Sequence, residues 1–301
     1  MPSPIIAALD PEHSDDAPLM VAAALSRVTG APLIALSAYL HDPITNAVSA
    51  GSVDEDLRAD ALQALERRAG DSGADLMVRG GPSPARVLHD AAADLDACLV
   101  VVGSTRRGRI GRVMPGSTAE RLLHGSPCPV AVTPAKLAAG WAPRHIGVGF
   151  VDVEDAHGAV RAAAAIARAA HADLRVSTAV EPITRSQSAV IEPYRADGLI
   201  DTATGSARRA LDQVLALMPS GVAATSDVVV GSPADALTEL SRHVDLLVCG
   251  SRAYGPTSHV LLGSVTHAVI RDASCPVVVV PRGTHNALVR ALAPAAQATS
   301  R

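Results

Sequence analysis

The run Val100-Val101-Val102-Gly103-Ser104-Thr105-Arg106-Arg107-Gly108, continued by Gly116-Ser117-Thr118-Ala119-Glu120-Arg121-Leu122-Leu123, decides the fold. Aliphatic residues stop at a glycine, a basic loop follows, and a second glycine with a hydroxyl residue opens an apolar-periodic segment. That order reads as strand, loop, helix. Such a junction offers backbone N–H groups to an anion, because the first-turn amides of a helix lack an intrahelical partner.

The same arrangement returns at Leu246-Leu247-Val248-Cys249-Gly250-Ser251-Arg252 and Gly263-Ser264-Val265-Thr266. Adding 147 to a position in the first copy gives its mate: Gly103/Gly250, Ser104/Ser251, Gly108/Gly255, Gly116/Gly263, Ser117/Ser264, Cys128/Cys275 and Pro134/Pro281. No gap is needed from 103 to 134. The chain is therefore two copies of one domain-sized unit rather than a solenoid, whose repeats are shorter.

Working outward, aliphatic runs at Pro4–Leu9, Leu33–Tyr39, Ala74–Arg79, Cys98–Val102 and Pro129–Thr133 alternate with helix-periodic stretches. Asp16 and Pro18 read as cap and first turn of the first helix, and Ser52 to Glu55 has capping-box spacing. The second copy repeats the order from His145 to Val280. Strands alternating with helices imply parallel sheets with helices on both faces. The expected fold class is α/β: two tandem open parallel-sheet domains at 1–136 and 143–283, with 284–301 as a disordered tail.

Composition narrows the function. The 301 residues are 48% hydrophobic and 2% aromatic with a formal charge of −4, which argues against a nucleic-acid binder and removes stacking platforms. No apolar run is long enough to span a bilayer and no leader opens the chain, so a cytoplasmic protein without membrane association is expected. Cys98, Cys128, Cys249 and Cys275 form no CxxC pair and lie in or beside predicted strands, as small apolar residues of a reducing compartment. Lys136 is the sole lysine, which excludes a GxxxxGK[ST] phosphate loop and makes Schiff-base chemistry improbable. No G-x-S-x-G elbow, paired acid and base, or metal cluster appears, so no enzyme activity is expected.

With both units read, the chain resembles a tandem universal stress protein. The matching residues are Asp10 after the first strand, Ser83-Pro84 and Ser232-Pro233 opening a helix after the third, the Val-Gly-Ser and Cys-Gly-Ser turns, the Gly-Ser helix starts, and the Pro-Cys-Pro and Ser-Cys-Pro entries to the fifth strands. The resemblance implies strand order 3-2-1-4-5 and pairing of domains through the fifth strands, with a homodimer left open. In one branch it implies ATP, with a divalent ion such as Mg, held by G-x2-G-x9-G-[ST]. Carried onto this chain, the candidate contacts are Asp10 for the ribose, the backbone at Ala38 for the adenine, and Gly103, Arg106, Gly108, Gly116 and Ser117 for the phosphates. In the second unit they are Gly250, Ala253, Gly263 and Ser264.

The pattern departs from that branch in both copies. Arg106 and Ala253 stand at the second glycine position, where a Cβ obstructs close approach of backbone to phosphate. Val151 stands at the position of Asp10. The first loop carries Arg106, Arg107, Arg109 and Arg112 and the second only Arg252, which favours the first unit for a polyphosphate. Ser117 reads equally as phosphate ligand and as the cap of a Ser117–Glu120 capping box. Gly103 and Gly250 end strands at the carboxyl edge of a parallel sheet, where ligands gather. Two functions stay open: an ATP-responsive stress protein, and a nucleotide-free module in which the glycine turns are structural and sheet pairing is the function.

Overall fold

A computed structural model describes residues 2–13, 15–41, 52–104, 113, 116–152, 157–182, 193–251, 262–281 and 288–289. In the first half, β1 (Ile5–Ala8), α1 (Ala17–Thr29), β2 (Leu33–Leu40), α2 (Ser52–Ala69), β3 (Asp75–Gly81), α3 (Pro84–Asp94), β4 (Leu99–Gly103), α4 (Ser117–Leu123) and β5 (Val130–Thr133) follow one another. The second half repeats them as β6 (His145–Gly149), α5 (His157–Ala170), β7 (Asp173–Val180), α6 (Pro193–Ala216), β8 (Ala224–Val230), α7 (Pro233–Leu240), β9 (Leu246–Gly250), α8 (Ser264–Asp272) and β10 (Val277–Val280).

The strands lie in the order β3-β2-β1-β4-β5-β10-β9-β6-β7-β8, a single ten-stranded sheet. Every neighbouring pair is parallel except β5 and β10, which run antiparallel with Ala131 opposite Val278. Each half has the order 3-2-1-4-5, and the two meet back to back at their fifth strands. Both strands are buried along their whole length, which is why they read as unbroken valine-rich runs.

Alternate residues of each strand face opposite layers. Ile5, Ala7, Leu99 and Val101 point to a cluster with Leu19, Leu25, Leu65, Ile166 and Leu211 from α1, α2, α5 and α6. Ile6, Val100 and Val102 point to a second cluster with Leu88, Leu122, Leu240 and Ile270 from α3, α4, α7 and α8. Both clusters draw on both halves. Across the first, α1 packs on α5, whose buried residues are mostly alanines and allow close approach.

Local signals set most boundaries. Ser83 and Ser232 cap α3 and α7, accepting from Arg86 N at 3.3 Å and Asp235 N at 3.4 Å. Asp16 stands at the N-cap of α1 as read, but without a side-chain cap bond: its carboxylate pairs with Arg68, and Asp15 Oδ1 accepts from Ala17 N at 3.1 Å instead. Two cap readings need correction. Ser52 is the first residue of α2 rather than its cap, and the residue before it lies outside the described ones. The cap of α4 is Gly116, not Ser117. Leu288, within the stretch expected to be a disordered tail, is 1% exposed and packs with Val289 on the first cluster, where an aliphatic pair leaves water.

Candidate functional site

The candidate site lies where β1 and β4, neighbours in the sheet, release the chain at their carboxyl ends. β1 continues to β2 on one side, while β4 follows β3 from that side and leads to β5 on the other. The crevice between β1 and β4 is thus the topological switch point of the first half.

Asp10 stands just beyond the last ladder bond of β1, Leu9 N to Leu36 O at 2.9 Å. Its Oδ1 accepts from Glu12 N at 3.0 Å, closing an Asx-type turn, and its Oδ2 lies 2.7 Å from His13 Nδ1. The side chain remains 56% exposed. Asp10 thus has a structural duty and an open face together. His13 is half-buried against this carboxylate.

Arg68, at the end of α2, fixes the β1–α1 turn. Its Nη1 donates to Asp10 O at 2.7 Å, its Nη2 to Asp15 O at 2.6 Å, and its Nε to Asp16 Oδ1 at 2.9 Å. The fork spans two carbonyls and a carboxylate, a geometry that an ammonium does not reproduce. Nothing in the local sequence marks Arg68, because its partners lie more than fifty positions away.

Asp15 is the residue the sequence reading missed. Its Oδ2 lies 2.9 Å, and Pro18 Cγ 3.3 Å, from the place where a Cβ on Gly103 would stand. Among the described residues that oxygen is buried without a hydrogen-bond partner. Burial pushes the Asp15 carboxyl above its ordinary range, against the opposing pull of the Ala17 amide and the Arg68 guanidinium. Gly103 thus serves first as a place for the β1–α1 turn to lie against β4. Among the described residues nothing approaches Gly250 within 4 Å of a built Cβ.

At the end of β2, Ala38 is half-buried against the second cluster and lies beside Arg79 of β3. Just past it, His41 Nδ1 sits 2.6 Å from Asp54 Oδ1, and the pair holds the start of α2 against β2. The His41 contact lowers the Asp54 carboxyl below its ordinary range.

The two glycine loops are anchored differently at their described ends. In the first half, Ser104 Oγ donates to Thr133 O at 2.5 Å, tying β4 to β5. Val113 N donates to Ala273 O of the second half at 2.9 Å. In the second half, Gly263 N donates to Ser251 O and Thr266 Oγ1 to Gly250 O, both at 2.7 Å, so the loop ends are drawn together. Ala119 occupies the place of Thr266 in the first half and has no hydroxyl to do the same.

Gly116 and Gly263 are extended caps without side-chain bonds, leaving the Ser117 and Ser264 hydroxyls outside the capping duty weighed for Ser117. The α4 helix has seven residues, too few for its dipole to carry the site. Arg106, Gly108 and Ala253 lie outside the described residues, as do Arg107, Arg109, Arg112 and Arg252. Val151, at the position of Asp10, leaves the second half without a carboxylate there.

The four cysteines are buried, as their strand context predicts. Burial pushes the thiols of Cys98, Cys128 and Cys249 up to about 12, and that of Cys275 upward as well. Among the described residues no group of three or more His, Cys, Asp or Glu could hold a metal ion. No helix there is long and apolar enough to cross a membrane.

The model of the universal stress protein family matches this sequence twice, over residues 1–134 and 143–281. A universal stress protein of Mycobacterium tuberculosis is 30% identical over 209 residues, covering 64% of this chain and 68% of that one. Another from the same organism is 31% identical over 188 residues, covering 61% and 62%. The solved structure of a universal stress protein from Archaeoglobus fulgidus has a TM-score of 0.65 at 17% identity, covering 94% of this chain and all of that one, a likeness of fold.

Proposed function

The chain belongs to the universal stress protein family, and from that premise we propose that it is a non-catalytic regulatory protein that binds an adenine nucleotide, ATP with a divalent ion, at the carboxyl edge of its first half. The observation that carries the reading is the placement of Asp10, just past β1, and Gly103, the last residue of β4, at the carboxyl ends of two neighbouring parallel strands, the switch point where open α/β sheets take ligands. Asp10 presents an exposed carboxylate edge to a ribose, and the loop that follows Gly103 in sequence is rich in arginine. The second half is the weaker binder, since Val151 replaces the carboxylate and Thr266 draws its loop ends together.

A non-catalytic role is favoured because the acidic groups at this edge are engaged. Asp10 closes its turn with Glu12 and His13, and Asp15 lies on Gly103. Neither is aimed as a general base. Bound nucleotide changes the order of the edge loops and hence association with partners, in a cytoplasmic setting suited to four unpaired thiols.

Isothermal titration of ATP and Mg against the wild type and Gly116→Asp tests the reading. Heat with the wild type that is lost in the variant supports it, and no heat with the wild type removes it. A second reading, a nucleotide-free module built on sheet pairing, is favoured by one observation: packing against Asp15 and Pro18 already requires a glycine at 103.

A further inference from the structure

The turn that carries Asp10 is shaped by bonds of its own. Asp10 Oδ1 accepts from Glu12 N at 3.0 Å, Asp10 O from His13 N at 3.1 Å, and Asp15 Oδ1 from Ala17 N at 3.1 Å. Such local bonds fix the form of a turn without fixing where it sits on the sheet. Arg68 reaches it from α2. The same Asp10 carbonyl accepts from Nη1 at 2.7 Å, while Nη2 donates to Asp15 O at 2.6 Å and Nε to Asp16 Oδ1 at 2.9 Å. The Arg68 side chain is 15% exposed against 56% for that of Asp10, so the fork is the fixed member and the carboxylate the one it places.

We propose that Arg68 is a positioning residue for the sugar end of the ligand: by holding the Asp10 main chain it aims the open carboxylate edge at the ribose hydroxyls. The inference rests on the nucleotide reading above. A carboxylate on a loosely placed turn must be ordered by the ligand, and the entropy lost offsets its hydrogen bonds. One held in advance keeps those bonds for recognition. Charge plays a separate part, since a guanidinium among Asp10, Asp15 and Asp16 favours any anion at this edge. The two effects divide cleanly: charge acts on the whole nucleotide, and placement acts on the contact to the sugar hydroxyls.

The test titrates the full chain, with Mg present, with ATP and with dideoxy-ATP, which lacks both ribose hydroxyls. The wild type is expected to bind ATP about tenfold more tightly or better, the usual strength of a hydrogen bond to a charged group. Arg68→Lys keeps the charge and loses the fork. It is expected to weaken ATP toward the analogue while leaving the Kd of the analogue unchanged, as Asp10→Ala does. In an Asp10→Ala background Arg68→Lys then adds nothing, since the two act through one contact. Equal weakening of both ligands by Arg68→Lys, or of neither, overturns the positioning role. A wild type that binds both ligands alike overturns it too and leaves nucleotide binding standing. No heat with the wild type overturns both. Should Arg68→Lys fail to fold, Asp16→Asn decides, because it takes the charged partner from Nε: a lowered preference for ATP supports the role, and an unchanged one overturns it.

Discussion

The Oδ2 oxygen of Asp15 lies 2.9 Å from the point where a β-carbon on Gly103 would stand. Two segments almost ninety residues apart meet there with no room for a methyl group, so the glycine at the end of β4 is a packing requirement as well as a candidate ligand surface.

Gly103→Ala is therefore expected to destabilise the chain by about 1–3 kcal/mol, the usual cost of overpacking. Gly250→Ala, which meets nothing within 4 Å among the described residues, is expected to cost less. Urea denaturation of both variants measures the difference. In an Asp15→Ala background the penalty of Gly103→Ala shrinks, since the two side chains share one space.

Arg68→Ala removes the bonds to Asp10 O, Asp15 O and Asp16 Oδ1. A loss of about 1–3 kcal/mol is expected, most of it from the part-buried Asp15 carbonyl deprived of its guanidinium donor, since the bonds to Asp10 O and Asp16 Oδ1 are exposed. Amide exchange across residues 10–16 rises in the same variant. Arg68→Lys does not restore it, because one ammonium cannot span the three acceptors.

Stability should respond to acid in two opposite ways. The Asp15 carboxyl is raised above 3.8, so the folded chain holds its proton more tightly than the unfolded chain, and stability falls as pH rises from 3.8 through the raised value. Asp15→Asn is then at least as stable as the wild type at neutral pH, and the comparison moves toward the wild type as pH falls through that window. The Asp54 carboxyl is lowered by His41, so its contribution is present above 3.8 and disappears as pH falls through its folded value. Asp54→Asn removes that acid-side loss. Unfolding free energies of both variants between pH 3 and pH 7 give the signs.

The cysteines should be inert in the native chain. With thiols buried and pushed up to about 12, Cys98, Cys128 and Cys249 present almost no thiolate at neutral pH, and Cys275 is raised likewise. A thiol reagent is expected to label none of them in folded protein and all four in denaturant, counted by mass.

Both apolar clusters contain residues of both halves, so the halves are expected to unfold together. Calorimetry should show one transition with matching calorimetric and van't Hoff enthalpies. Two separated transitions would contradict a shared core.

The alternation of strands and helices was readable residue by residue. Runs such as Val100–Val102 and Val277–Val280 are unbroken because both faces of their strands are covered, and Ser83-Pro84 marks a cap by its own chemistry. Caps were less legible where two acceptors stood side by side. Asp15 and Asp16 are adjacent, and only the position of Arg68 assigns one to the helix and the other to an ion pair. At the site, Asp10 was legible from its place after an aliphatic run, whereas Asp15, Arg68, His13 and Val113 carried no local mark.

By itself the sequence determined the duplication, the secondary-structure order and the α/β class, because periodicity, turn residues and a constant offset of 147 between the copies are properties of neighbouring residues. The resemblance implied pairing through fifth strands, but only the tertiary structure decided that β5 and β10 join the two sheets of one chain, that Asp15 rather than Asp10 covers Gly103, and that Val113 reaches Ala273. Those are contacts between segments remote along the chain. They exist only once the strand order has chosen which edges and turns become neighbours in space.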